Sequence, residues 1–378
     1  VAQLNAYVTS NDSIGYLQLA SNWLSTGVYR FDEGGASAFR MPGYPLVLGV
    51  TYLPVGGPLL TQLVQIAASL LVVAMVWHIV LHLGGNYWFA AFGALYYAVY
   101  PLVLLSAVII YPESLSVLAV TAMVLLLVRK RVGFESVVFG LLGGSATYLK
   151  PSLQLTAIAL MALYLGFCCI RIRPMGRAVA FGALPFLIFL LMLLPWGVRN
   201  SLQLGSPEIF STSTGTNLYG GNNSLAAGGF ASDLPFVLPD YSEVESNREF
   251  TARAIAWVQS HPTEFMLLLP QKAVRLFHPL ALGTSGMFSL PGPLQWLLIL
   301  IAVVLYALAL IGVAVRLLRR DFWAVLVLIV PTATVLVSSL ISFGSSRFLL
   351  PALPVIAVSA ALGSAALVMY GRRFVSEL

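Results

Sequence analysis

Nine runs of apolar residues, bounded by charges, Pro or Gly, constrain this chain more than any other feature: Pro58 to Leu81, Tyr87 to Ile110, Ser114 to Val128, Val132 to Tyr148, Ser152 to Ile170, Ala178 to Val198, Pro293 to Val315, Phe322 to Phe343 and Phe348 to Tyr370. They hold 188 of the 378 residues and a single charge, Glu135. About 20 apolar residues cross a hydrocarbon core of roughly 30 Å. Seven runs are therefore long enough to span, whereas the third and fourth, of 15 and 17 residues, are short. Lipid admits only helices and closed barrels, and the runs show no strand-like alternation. The expectation is an all-α, polytopic transmembrane bundle with nine spans in this chain. With 9% charged residues, against about a quarter in soluble domains, neither a soluble domain nor a disordered chain is compatible with the sequence. The net charge of +6 is not gathered on one face, so no nucleic-acid partner is expected. The adjacent Cys168 and Cys169 offer neither a disulfide framework nor a CxxC metal site.

The surplus positive charge reads as topology. Arg129, Lys130 and Arg131, then Arg171, Arg173 and Arg177, then Arg316, Arg319 and Arg320, and finally Arg372 and Arg373 occupy alternate connections between runs. By the positive-inside rule those connections are cytoplasmic. Residues 1–57 and 199–292 then lie outside, with 11 of the 14 acids on that side. The organisation that follows is a first external loop (1–57), six spans (58–198), a large external loop (199–292) and three C-terminal spans (293–378). Within the loops, Asp12 to Thr26 places Ile14, Leu17, Ala20 and Leu24 on one face with Tyr16, Leu19 and Trp23 beside it, the pattern of an amphipathic interfacial helix. A second helix is expected within Tyr241 to Gln259. A third, Thr263 to Phe277, carries Lys272 and Arg275. Ser211 to Ser232, rich in Gly, Ser, Thr and Asn, reads as loop.

The remaining charges cluster at one depth. Three outer hairpin turns carry one each: Glu113 after Tyr111-Pro112, Lys150 before Pro151, and Arg347 before Phe348. Arg199 ends the sixth run. Because the third and fourth runs are short, Glu113 and Lys150 should sit below headgroup level, where a charge is costly and marks a pathway or a site. Lys150, Arg199 and Arg347 suit a lipid phosphate; snorkelling to ordinary headgroups is the alternative. Asp12 follows Ser10 and Asn11 at a helix start, which equally fits an N-cap. Asn11-Asp12-Ser13 and Asn222-Asn223-Ser224 match the glycosylation sequon. His78 and His82, spaced i, i+4, lack a third ligand, so no metal or other cofactor is expected. There is no GxGxxG, GxxxxGK or HExxH motif and no Asp-x-Asp pair for a metal-bound nucleotide diphosphate, nor an inverted pair of broken helices as in transporters.

The ordered set of landmarks is informative beyond its parts. Asp12-Ser13-Ile14-Gly15-Tyr16, Ala20, Gly27 and Arg40-Met41-Pro42-Gly43-Tyr44-Pro45-Leu46 come first. Pro112-Glu113-Ser114-Leu115, Lys150-Pro151, Pro195-Trp196 with Arg199-Asn200 and Gly205, Ser213 to Asn223 with Gly215, Asn217-Leu218 and Gly221-Asn222-Asn223, His261-Pro262, and Arg347-Phe348 with Pro351 follow. Along nearly its whole length the chain resembles the family 39-like, superfamily C (GT-C) glycosyltransferases, which include protein mannosyltransferases and lipid A aminoarabinose transferases. The resemblance implies a multi-pass enzyme in the cell membrane. It would transfer a sugar, with inversion, from a polyprenyl-phosphate donor to a lipid, glycan or protein acceptor on the outer side. It maps the catalytic acid of the first loop onto Asp12, the donor-phosphate cations onto Lys150, Arg199 and Arg347, and substrate contacts onto Tyr16, Arg40, Tyr44, Glu113, Asn217 and Asn222. Asp32 and Glu33 are reserve acids.

Three departures stand out: Ser13 where protein mannosyltransferases carry a second acid, Met41 where a Pro is usual, and Lys150 where an Arg is usual. The first argues against a protein acceptor. The chain opens on Val1 rather than Met, and one further span before it is expected. A polyprenyl-lipid flippase or transporter is the alternative activity, and a non-catalytic scaffold, which would leave Glu113, Lys150 and Arg347 without purpose, ranks last.

Overall fold

The structure, a computed structural model, describes residues 11–31, 35–231, 234–235, 237–279 and 292–376. Among them there is no strand. The first external loop holds α1 (Asn11–Thr26) and α2 (Gly43–Thr51). All nine apolar runs fold as helix: α3 (Leu59–His82), the pair α4 (Tyr87–Val99) and α5 (Pro101–Val108), α6 (Glu113–Arg129), α7 (Phe134–Leu149), α8 (Gln154–Arg171), α9 (Met175–Leu204), α13 (Gly292–Leu318), α14 (Phe322–Ile341) and α15 (Leu353–Ser376). Short 3-10 segments, Pro151–Leu153 and Ser346–Ala352, lead into α8 and α15. The large external loop contributes α10 (Thr214–Gly221), α11 (Glu243–Ser260) and α12 (Pro262–Phe277).

The protein is a multi-pass membrane protein, and the expected nine spans need qualifying. Six helices among the described residues are long and apolar enough to cross, and a seventh span results if α4 and α5 count as one. That pair bends by 54° because Pro101 has no amide hydrogen to continue the ladder and forces Tyr100 into an extended conformation (φ −64°, ψ 127°). The two short runs form helices of 17 and 16 residues, α6 and α7. Protein surrounds α6: twelve of its seventeen residues are buried, against α3, α7 and the 346–352 segment, so lipid thickness does not set its length. The longest contact is α13 on α15. Gly312 and Gly363 make it possible, since a Cβ on either would collide with the other helix's backbone at Ser359 or Leu308.

Two local expectations change. In α1 the inward face is Ser13, Tyr16, Leu19 and Ala20, while Ile14 and Leu24 are exposed; the helix is rotated because its polar Ser13 is drawn inward to donate to the Ile110 carbonyl (3.0 Å). Residues 211–232, read as loop, contain the two-turn α10, whose packing on α11 overrides a composition poor in helix formers. The helices expected in 241–259 and 263–277 are present as α11 and α12.

Candidate active site

Five charged side chains from four separate stretches of chain meet in one row at one end of the helical bundle. Asp12, in the first turn of α1, accepts from Arg40 Nη2 through Oδ1 (2.6 Å) and from Arg347 Nη1 through Oδ2 (2.8 Å). Arg347 continues to Glu113 through Nε (3.0 Å), and Lys150 Nζ reaches the same Glu113 Oε1 (3.2 Å). The order Arg40–Asp12–Arg347–Glu113–Lys150 alternates sign and leaves one surplus positive charge. Glu113 is 1% exposed, whereas Asp12, Arg40 and Arg347 are each between a fifth and a third exposed, so the row is closed at one end and open at the other. Glu113 Oε2 is buried without a hydrogen-bond partner.

Local structure sets each position. Pro112 starts α6 and puts Glu113 in its first turn, where the helix dipole favours a carboxylate. The extended stretch before it is held by Gln65, whose Nε2 donates to the carbonyls of Ser106, Ala107 and Ile109 and whose Oε1 accepts from Tyr44 Oη (2.6 Å). Lys150 is the extended residue between α7 and its following turn, and its ammonium lies over the Phe348 ring (5.1 Å). Arg347 stacks on Tyr111 (4.8 Å) and Arg40 on Tyr16 (5.2 Å). Gly43 brings α2 and the Arg40 loop against the Lys150 turn: a Cβ there would lie 2.6 Å from the Tyr148 carbonyl carbon and oxygen and 2.9 Å from Leu149 N. Gly43→Val is therefore expected to push the two apart, and a fall in thermal unfolding temperature in detergent, compared with the exposed control Gly166→Ala, checks it.

Charge state follows from these neighbours. Burial pushes the Asp12 carboxyl up, but the charges and hydrogen bonds of Arg40 and Arg347 outweigh it and hold it well below the usual carboxylate range. Burial pushes the Tyr16 phenol up to about 12, so it stays a donor at neutral pH. Asp12 is thus not the N-cap that its position allows; its oxygens are engaged 28 and 335 residues away.

Other sequence candidates fall outside this row. Arg199 donates to Ser37 O (2.7 Å), Asn200 Oδ1 (2.8 Å) and Tyr29 O (3.0 Å) and stacks on Trp196 (5.0 Å). It fastens the loop that carries Arg40 and is not in the row. Tyr44 packs edge-on against Tyr16 (5.1 Å) with its hydroxyl on Gln65. Asn217, on α10, reaches Ser213 Oγ at 3.5 Å. Asn222 is fully buried, donates to Leu218 O and Ile341 O and accepts from Lys272 Nζ (2.7 Å); its sequon is therefore inaccessible in the folded chain. Asp32 and Glu33 lie outside the described residues.

Sequence reasoning missed two polar anchors. Glu243, at the start of α11, grips the first loop through Ser37 Oγ (2.6 Å) and Ala38 N (2.7 Å), and its own loop through Thr212 Oγ1 (2.5 Å). Lys272 is fully buried, donates to Asn222 and to Leu340 O (3.0 Å), and burial pushes its ammonium down to about 8. The amphipathic pattern of α12 carried a signal for the second, a Lys on an otherwise apolar face. Glu243 sits in a run of loop acids and carried none.

No protein-family model and no curated protein sequence matches the chain. Among solved structures, the apo oligosaccharyltransferase of Archaeoglobus fulgidus is similar over 95% of this chain and 47% of its own, at 13% identity and a TM-score of 0.50. ArnT from Cupriavidus metallidurans, solved with undecaprenyl phosphate, is similar over 96% of this chain and 76% of its own, at 16% identity and a TM-score of 0.43. The chain shares its fold with that oligosaccharyltransferase over most of its length, and among the described residues it is an all-helical membrane bundle with helices in the loops. It spans about half the length of the archaeal oligosaccharyltransferase that it matches.

Proposed function

We propose that the protein is a membrane glycosyltransferase that takes a sugar from a polyprenyl-phosphate donor and passes it, with inversion, to an acceptor hydroxyl or phosphate on the outer face. The alternating charge row carries this reading. Displacement at an anomeric carbon builds negative charge on the departing phosphate oxygen and positive charge on the sugar, so fixed cations and a facing carboxylate lower the barrier. The acceptor oxygen bonds to the anomeric carbon, the bond from that carbon to the phosphate oxygen breaks, the acceptor proton passes to Asp12, and the carrier leaves as the phosphate.

Arg347 and Lys150 bind that phosphate, whose charge offsets the surplus cation of the row. The open acceptor, Glu113 Oε2, receives a donor-sugar hydroxyl. Drawing Arg347 toward the phosphate loosens its hold on Asp12 and restores its basicity, so the donor itself arms the base. Arg199 acts here as a positioning residue for Arg40, a change from its expected phosphate role, and Tyr16 and Tyr44 wall the sugar side. Asn217 and Asn222 shape the neighbouring loop. GT-C folds frame lipid-linked sugar transfer elsewhere, an analogy of fold alone.

The test is purified protein in liposomes, offered radiolabelled sugar on polyprenyl phosphate or on a nucleotide diphosphate, with lipid translocation followed in parallel. Transfer from the lipid donor alone is expected. Transfer from the nucleotide sugar alone, or translocation without transfer, would overturn the proposal. Sidedness is read in intact cells: Leu225→Cys, at an exposed site (76%) in the large loop, is expected to react with an impermeant thiol reagent, and Lys130→Cys is not.

A further inference from the structure

Away from the charge row, the large external loop encloses a cavity of about 420 Å³ lined by Tyr219, Asn223, Leu225, Gly229, Phe230 and Arg275, among others. That volume lies within the roughly 300–1,000 Å³ range of small-molecule sites. Arg275, from α12, is the one charged side chain lining it among the described residues. It makes no hydrogen bond or ion pair with any described residue, and its Nε is buried without a partner. Its guanidinium lies on Gly229, where a Cβ would come within 2.7 to 2.9 Å of its Nη2, Cζ and Nε. The loop that carries Gly229 is pinned at both sides, by Gly344 N on Gly228 O (2.8 Å) and Ala231 N on Gly220 O (2.8 Å). The Arg275 side chain is partly buried and its Nε is fully so without a partner, which is costly; a guanidinium is shaped to meet an oxyanion through two parallel N–H bonds.

The cavity also has a physical connection to the charge row. Phe230, in its wall, meets Phe343 (5.2 Å), Phe343 meets Phe348 (5.0 Å), and Phe348 lies under Lys150 (5.1 Å). Three steps of about one ring each separate the two. We infer that the cavity is a second anion site, which takes a sugar ring bearing a phosphate or carboxylate and so docks the acceptor beside the charge row. Arg275 holds the oxyanion, and Phe230 meets the apolar face of the ring. The docking of an acceptor rests on the glycosyl-transfer reading; the anion site itself does not.

Calorimetric titration of the full chain in neutral-lipid nanodiscs tests it with glucose 6-phosphate, glucuronate and glucose. At least tenfold tighter binding of one of the two anionic sugars over glucose is expected; stronger glucose 6-phosphate binding assigns a phosphate, stronger glucuronate binding a carboxylate. Arg275→Gln is expected to abolish that preference and Arg347→Gln to retain it. Leu225→Glu, a carboxylate added at an exposed wall position that needs no repacking, is expected to weaken anion binding at least tenfold. Unchanged preference in Arg275→Gln or Leu225→Glu, or loss in Arg347→Gln alone, would overturn the inference. So would a tenfold gain in Asp233→Asn, which would reveal an internal ion pair in place of a ligand site. The titration needs no turnover, so absent sugar transfer in the liposome assay overturns the glycosyltransferase reading and leaves the anion cavity standing.

Discussion

Asp12→Asn is expected to lower sugar transfer at least about 10²-fold, the smaller end of what a positioned general base contributes. The amide keeps the size of the side chain and one oxygen for Arg40 or Arg347, so α1 stays docked through Ser13 and Tyr16. What it loses is the capacity to take a proton. The pH profile separates this from a purely structural role. With both arginines on its oxygens, Asp12 stays ionised far below the ordinary aspartate value, and kcat/KM, which reports the free enzyme, is expected to show no acid limb near pH 4 from this group. Once the donor phosphate draws Arg347 away, the Asp12 value rises, and kcat is expected to fall at a higher pH than kcat/KM does. Near wild-type turnover in Asp12→Asn, or coincident acid limbs, would make Asp12 a loop anchor only.

Arg347→Gln is expected to cost both affinity and stability, because this guanidinium joins the two acids. Donor binding should weaken roughly 10- to 100-fold, the worth of one charge-assisted hydrogen bond of about 1.5–3 kcal/mol. Stability should fall toward the lower end of the roughly 3–5 kcal/mol typical of a broken buried pair, since Arg347 is 26% exposed while Glu113 is 1% exposed. Much of that loss is the stranded carboxylate, so Arg347→Gln with Glu113→Gln is expected to recover thermal stability without recovering donor affinity. Recovery of both, or of neither, would show that the two residues do not act as a coupled pair. Measurement is by thermal unfolding in detergent and by binding of a labelled polyprenyl-phosphate sugar.

What the sequence made legible was depth. Apolar runs without strand-like alternation in a chain this poor in charge read as helices in lipid, and a charge in a tight turn, beside a short run at Glu113 and Lys150 or between two long ones at Arg347, is costly enough to be conspicuous. Partnership was not legible. Nothing in the neighbourhood of Arg199 says that its hydrogen bonds go to carbonyls 162 and 170 positions earlier, or that Asp12, set at a helix start, is bridged to a residue 335 positions later. These pairings depend on how the bundle closes, which local propensity does not encode. The same holds for α10, where glycines that read as loop permit close approach of two helices. Length left one point open: the ends of runs of 15 and 17 apolar residues had to lie inside the membrane profile or in a cavity, and Glu113 and Lys150 at those ends are buried in protein.

That shortness has a geometric consequence. Along α6, from Arg129 to Glu113, sixteen residue steps at 1.5 Å each give about 24 Å of rise, against a hydrocarbon core of roughly 30 Å. On the proposed topology, with Arg129 at the inner boundary, Glu113 would floor a well about 6 Å deep. On the glycosyl-transfer reading a reacting hydroxyl would have to be lowered into that well on something slim. A sugar at the end of a glycan or a lipid headgroup on a flexible stem would have the reach, whereas a hydroxyl on the flat face of a folded protein would be stopped at the rim.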